Sequence, residues 1–115
     1  MQIEAEAASR LLVEYWKLLR AYERSTGDLP PNKAEKVQAQ LRYSAHRLQQ
    51  ILERSGIKLV CFDGEAFSAE LPVSAINAED VAGCENPIID KTVEPTVIQS
   101  GTVFHTGKVL LKGAS

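Results

Sequence analysis

The chain has 115 residues, 44% of them hydrophobic, and a formal net charge of −2 at pH 7. This length and composition suffice for one ordinary core, or for a helical part joined to a small β part, and they exclude a disordered tail. The sequence has no run of 18 apolar residues, and its start lacks a basic region ahead of the apolar residues. We therefore expect a soluble, cytoplasmic protein with no membrane partner.

The charge is divided unevenly along the chain. Residues 1–55 carry nine Lys or Arg against seven Asp or Glu, whereas residues 56–115 carry four against eight. This division predicts two parts of different composition, at 1–55 and at 56–115. All six arginines lie in the first part, interleaved with glutamates as on a solvated helix face, so we predict no nucleic-acid partner.

The first part begins with a helical pattern. Apolar side chains recur at steps of three and four from Ile3 to Tyr22, which predicts one helix running to about Ser25. That stripe consists of Ile3, Ala7, Leu11, Tyr15, Leu18 and Tyr22, and it is widened by Leu12, Trp16 and Leu19. Gly27 is expected to end the helix, and Pro30-Pro31 to prevent it from resuming.

A second helix is expected from near Pro31 to Ser55, with Gly56 as its stop. Its apolar stripe consists of Val37, Leu41, Ala45, Leu48 and Leu52. Two such helices joined by a short turn predict an antiparallel hairpin with one open apolar side. A homodimer would close that side as a four-helix bundle, and the alternative is that the β part packs over it.

After Gly56 the pattern changes to short extended runs with turn residues between them. Ile57 to Phe62 alternates before the turn signal Asp63-Gly64, and Leu71 to Ile76 predicts a further strand. Glu94 to Lys112 predicts a closing β-hairpin with its turn at Ser100-Gly101. The fold class is therefore α+β, with a helical hairpin followed by a small all-β head domain of short strands.

The residue types offer no catalytic constellation. Cys61 and Cys84 could form a disulfide, but without a secretory signal we expect two free thiols. His46 and His105 are far apart, and the cysteines lack metal-ligand spacing, so we expect no metal site. Neither cysteine has a basic or glycine-rich context that would lower its pKa, and no glycine-rich phosphate loop is present. The sequence thus predicts a binding protein rather than an enzyme, with no cofactor.

Two segments, in their order and spacing, carry a family resemblance over nearly the whole chain. The first comprises LLVEYWKLLRAYERS, a Pro-containing turn and AQLRYSAHRLQQILERSGIKLV. Its second helix ends in a Leu-x-x-x-Gly pattern, from Leu52 to Gly56, that leads directly into a strand. The second is the closing VEPTVIQSGTVFHTGKVLLKG. Together they resemble the GrpE nucleotide-exchange factors, which are partners of DnaK-type chaperones. The resemblance implies a dimeric helical bundle whose β heads bind the chaperone's nucleotide-binding domain and promote ADP release.

The resemblance also implies which residues meet the partners. The expected chaperone-binding residues are Glu94, Pro95, Gln99, Phe104, His105 and Lys108. The expected dimer-interface residues are Leu11, Tyr15, Leu18, Leu41, Leu48 and Leu52. A dimeric adaptor without exchange activity is the alternative function within the same architecture.

Two departures from the family pattern bear on function. The family usually has a long helical stalk ahead of the bundle, whereas Met1 here stands almost at the bundle's start, so we expect the stalk to be absent or reduced. Where the family's final hairpin commonly carries an arginine, this chain has His105, followed by Thr106 and Gly107. A histidine has a shorter reach than arginine and only fractional charge near neutral pH.

Overall fold

A computed structural model describes residues 4–113. Two helices packed together are followed by two small three-stranded sheets, which confirms the predicted α+β class. Helix α1 spans Ala5–Ser25 and helix α2 spans Pro31–Ser55. The strands are β1 (Ile57–Val60), β2 (Val73–Ala75), β3 (Ile88–Glu94), β4 (Thr96–Gln99), β5 (Thr102–His105) and β6 (Gly107–Lys112). Within the described range, no helix is long and apolar enough to cross a membrane.

The helix ends follow the residues that the sequence offers. Pro31 is the first residue of α2, where its fixed φ suits a helix and its missing N–H is not needed. Gly56 closes α2 in the left-handed region at φ 68°, and its N–H donates to the carbonyls of Glu53 and Leu52. Both predictions are confirmed.

The passage out of α1 differs from its prediction. The helix ends at Ser25 and tightens into a 3₁₀ turn over Thr26–Asp28, so Gly27 lies inside that turn without a positive φ. The buried Thr26 hydroxyl donates to the carbonyl of Glu23 at 2.7 Å. A side chain therefore satisfies a last carbonyl of the helix, where a left-handed glycine was expected.

The first sheet has the strand order β1-β4-β5, and all its neighbours are antiparallel. Strand β4 turns into β5 through Ser100 and Gly101, both at positive φ, as the predicted turn requires. The predicted hairpin is wrong in its last strand. Strand β6 does not pair with β5 but is the central strand of the second sheet, whose order is β2-β6-β3.

The second sheet contains the main core of the β part. Strand β6 pairs in parallel with β2 and antiparallel with β3, so both of its edges are covered. Its Val109 and Leu111 pack with Ile89 of β3 and with Val81 of a 3₁₀ turn, Ala78–Val81. Asn77 binds the backbone N–H and carbonyl of Leu111, at 2.7 and 2.9 Å, and so extends the ladder from a side chain.

Candidate functional site

The chain changes sheets twice within a short distance, and the candidate site lies at these crossings. Pro95 carries it from β3 into β4, and Thr106 carries it from β5 into β6. The Thr96 hydroxyl donates to the Pro72 carbonyl at 2.8 Å and accepts from the Gly107 N–H at 3.2 Å. One buried hydroxyl thus joins the two crossings and fixes the spacing of the side chains around them.

Glycine is required at the second crossing. A Cβ built on Gly107 would lie 2.6 Å from Thr96 Oγ1 and 2.9 Å from the Glu94 carbonyl oxygen. Both distances are below ordinary van der Waals contact, and the neighbours are a buried side chain and the backbone. The absence of a side chain at Gly107 therefore allows β6 to lie close to the Glu94–Thr96 segment.

The Glu94 cluster, formed by Glu94, His105, Lys108 and Lys17, is gathered at these crossings. His105 Nε2 lies 3.0 Å from Glu94 Oε1, and Lys17 Nζ lies 3.2 Å from Glu94 Oε2. Lys108 Nζ lies 3.8 Å from Oε1. A carboxylate only accepts hydrogen bonds, so His105 Nε2 carries the proton in its contact. The cluster connects both sheets to α1.

The charge of Glu94 is stabilised by its neighbours. Burial of Glu94 opposes the charge, but the hydrogen bonds from His105 and Lys17, with Lys108 nearby, outweigh that effect and hold the pKa of the carboxyl below its ordinary value. Hydrogen bonds from Lys17 to Glu14 and to Glu94 raise the pKa of Lys17. Glu94 and Lys17 are therefore both charged at neutral pH.

Of the six residues expected to bind a chaperone, three meet in the Glu94 cluster: Glu94, His105 and Lys108. Their exposure differs, since the Glu94 side chain is 13% exposed and the Lys108 side chain is 51% exposed. Phe104 is half-buried beside His105. Of these residues, Lys108 offers the most surface to a partner.

The remaining two expected residues lie elsewhere. Pro95 is fully buried at the first crossing, so its side chain offers no surface to a partner in the single chain. Proline follows the last residue of β3 and has no backbone N–H that would need a partner. Gln99 lies at the far end of β4, where its side-chain amide donates to the Ser55 carbonyl at the end of α2.

Sequence reasoning missed Lys17. It lies 77 positions before Glu94, among several other charged residues of α1. The only signal was its position beside the apolar stripe, and that position alone does not indicate a partner. Only the packing of α1 against β3 and β5 brings the two side chains together.

A cleft of about 650 Å³ lies beside the cluster, between α1 and strands β3 and β6. Its walls carry both signs of charge, including Arg24, Lys91 and Asp63. Two of its cations have contacts within the chain: Lys17 pairs with Glu94, and the Arg20 guanidinium lies 4.9 Å from the centre of the Trp16 ring. This mixture of groups selects no single class of ligand.

The expected dimer-interface residues divide by exposure. Leu11, Tyr15 and Leu18 are 59%, 40% and 65% exposed, and Tyr22 continues the same stripe at 51%. Leu41 and Leu48 are half-buried. Leu52 is only 2% exposed in the single chain, so its side chain is already covered within the chain.

Residues 4–113 contain no group of three or more His, Cys, Asp or Glu that could hold a metal ion. Cys61 and Cys84 are free thiols in the structure, as predicted. Burial raises the pKa of the Cys61 thiol, which disfavours the reactive thiolate form.

Comparisons with protein-family models, with curated proteins and with solved structures find no match for this chain.

Proposed function

We propose that the protein is a GrpE-like co-chaperone, a nucleotide-exchange factor that promotes ADP release from a DnaK-type chaperone. The layout of the fold is the observation that supports this most directly. The first resembling segment forms the helix pair and leads through Gly56 into β1, and the second forms the strands from the end of β3 to β6. A helical part followed by a β head is the architecture that the resemblance implies.

The proposed form is a homodimer assembled through α1. Leu11, Tyr15, Leu18 and Tyr22 lie on one stripe of the helix and are all exposed in the single chain. Four large apolar side chains in a row form the kind of patch that proteins cover by association. A second copy presents an identical stripe, so a two-fold contact covers both.

In the proposed mechanism the head binds the chaperone's nucleotide-binding domain without touching the nucleotide. A head that binds the open form of the nucleotide cleft more tightly than the closed form shifts the chaperone toward the open form. ADP then leaves faster, by a factor set by the difference between the two affinities. The proposed contact surface contains Phe104, His105 and Lys108.

The test is ADP release from a DnaK-type chaperone of the same organism, followed with a fluorescent ADP analogue by stopped flow. We expect the release rate to rise with the concentration of this protein and then to saturate. No acceleration with any such chaperone would overturn the exchange function.

A matched pair of variants tests the contact surface. Lys108 and Lys112 both lie on β6, their side chains are 51% and 55% exposed, and each lies near a carboxylate. We expect Lys108→Ala to reduce the acceleration about tenfold and Lys112→Ala to leave it within about twofold. Equal effects of the two variants would contradict the assignment of the surface.

A second candidate function is a dimeric adaptor that binds its partner without promoting exchange. The observation in its favour is the hydrogen bond between His105 and Glu94, which engages both side chains within the chain. An adaptor of this kind would bind the chaperone, or another protein, with no change in the ADP release rate. Measuring binding by calorimetry beside the release assay separates the two functions.

A further inference from the structure

Helix α2 has a second face, which packs against nothing within the chain. We call it the outer face of α2; it covers about 100° of the helix surface and about 32 Å of its length. All of its side chains are exposed. They are Lys33, Lys36, Gln40, Tyr43, Arg47, Gln50, Ile51 and Arg54.

The charges on this face have one sign. Its four cations are Lys33, Lys36, Arg47 and Arg54, and none of them forms an ion pair with the rest of residues 4–113. The two carboxylates of the helix, Glu35 and Glu53, lie about 60° or more outside the face. The arginines and glutamates that alternate in sequence are therefore separated around the helix.

The outer face also has a ridge of side chains, two of them large and apolar, of the kind that packs against another helix. Tyr43, Arg47 and Ile51 follow one another at steps of four, which forms one ridge along the helix. Tyr43 is 58% exposed and Ile51 is 54% exposed. The small Ala39 and Ser55 continue the ridge at either end. A ridge of this kind fits the groove between side chains of a second helix.

We propose that the outer face of α2 binds an acidic amphipathic helix of a partner protein. The four unpaired cations provide the charge complement of such a helix, and Tyr43 and Ile51 provide its apolar contacts. Tyr and Arg are the residues that most often carry binding energy at interfaces.

Phosphate-bearing partners fit the same face less well. Tyr43 and Ile51 gain little against a phosphate backbone. The proposal does not depend on the exchange activity, because the face is on α2 and the proposed chaperone contact is on β5 and β6.

The test uses a fluorescein-labelled peptide of about 22 residues built from Ala, Leu and Glu, with leucines on one side of a helix and glutamates beside them. Binding to the full chain is followed by fluorescence anisotropy. We expect saturable binding that is lost when the peptide's glutamates are replaced by glutamine. We also expect Tyr43→Ala and Ile51→Ala each to weaken binding about fivefold.

Arg47 and Arg42 form a matched pair for charge reversal, because they lie on the same helix, both are exposed, and only Arg47 belongs to the outer face. We expect Arg47→Glu to weaken peptide binding about tenfold and Arg42→Glu less than about twofold. Circular dichroism establishes that both variants fold. Equal losses would show that net charge alone attracts the peptide and would overturn the proposal.

Two other outcomes would also overturn it. One is the absence of peptide binding. The other is tighter binding, sensitive to Arg47→Glu, to a duplex DNA of about 20 base pairs or to phosphatidylserine vesicles, which would show that the face recognises phosphate.

Discussion

Lys17 and Glu94 are 77 positions apart in the sequence, and their side chains meet at 3.2 Å. Lys17 belongs to α1, and Glu94 is the last residue of β3, where the chain leaves the second sheet. The same carboxylate is 3.0 Å from His105 of the first sheet. One ion pair therefore connects the helical part to the place where the two sheets meet, which is also the proposed contact surface.

Replacing Glu94 by glutamine is expected to lower the free energy of unfolding by about 1–3 kcal/mol, because three basic groups lose a largely buried acceptor charge. Urea denaturation at pH 7 measures the change. Glu14→Gln is the control, since Glu14 pairs with the same Lys17 at 3.1 Å but is 67% exposed. Glu14→Gln should lower the free energy of unfolding by less than about 0.5 kcal/mol. Equal losses of unfolding free energy in the two variants would show that the contacts of Glu94 stabilise the chain no more than a surface ion pair does.

The contribution of Glu94 should depend on pH in one direction. The pKa of its carboxyl is lowered in the folded chain from the ordinary value of 4.5, so its stabilising effect is complete above that value. As the pH falls below 4.5, the unfolded chain takes up the proton first, and the effect is lost once folded Glu94 is protonated too. We expect the difference in unfolding free energy between the wild type and Glu94→Gln to be constant above pH 6 and to shrink as the pH falls below 4.5. A difference that stays constant below pH 4.5 as well would contradict the lowered pKa.

The sequence predicted the helices well because their signals are local. A 3.6-residue period, Pro31 at one end and Gly56 at the other determine α2 from within its own segment. The spacing of apolar residues in α1 did not show which face of that helix packs against the rest of the chain. The wide stripe includes both Leu18, which is exposed, and Trp16, which is half-buried, because two apolar faces of one helix merge into one pattern.

The β part was predicted less well because its pairings are distant. In the sequence, Thr106-Gly107 interrupts the extended run of the predicted hairpin. This interruption did not show that β6 would enter another sheet, beside β2 and β3. The parallel pairing of Val73 with Gly107 joins residues that share no local pattern. The ion pair of Lys17 and Glu94 was missed for the same reason.

Alanine at Gly107 is expected to destabilise the chain by about 2 kcal/mol or more, because its Cβ would overlap Thr96 Oγ1 and the Glu94 carbonyl. Thermal unfolding measures this loss. Gly83→Ala is the control: its Cβ would have nothing within 4 Å, and Gly83 does not have a positive φ. An unchanged melting temperature for Gly107→Ala would show that β6 can move away from the Glu94–Thr96 segment at little energetic cost, and would contradict the requirement for glycine.

The His105→Arg variant tests the histidine in the position of the family's arginine. If the proposed contact geometry is kept, we expect tighter chaperone binding, because a guanidinium carries a full charge and five donors, enough to hold Glu94 and still reach a partner. Calorimetry with the chaperone measures the affinity. His105→Gln is the control, since it keeps a donor for Glu94 without the charge. An unchanged or weaker affinity for the arginine variant would indicate that this head faces a different partner.

The exposed stripe of α1 gives the last prediction. Leu18 is 65% exposed, so its replacement by glutamate should leave the fold of the single chain intact. In the proposed homodimer the same change places two carboxylates in an apolar contact, so we expect it to convert the dimer to a monomer at micromolar concentration. Sedimentation velocity measures the change. Ile76→Glu is the control, because Ile76 is 50% exposed in the β part, away from the stripe. A wild-type chain that sediments as a monomer would contradict the dimer, because the stripe would then remain exposed to water.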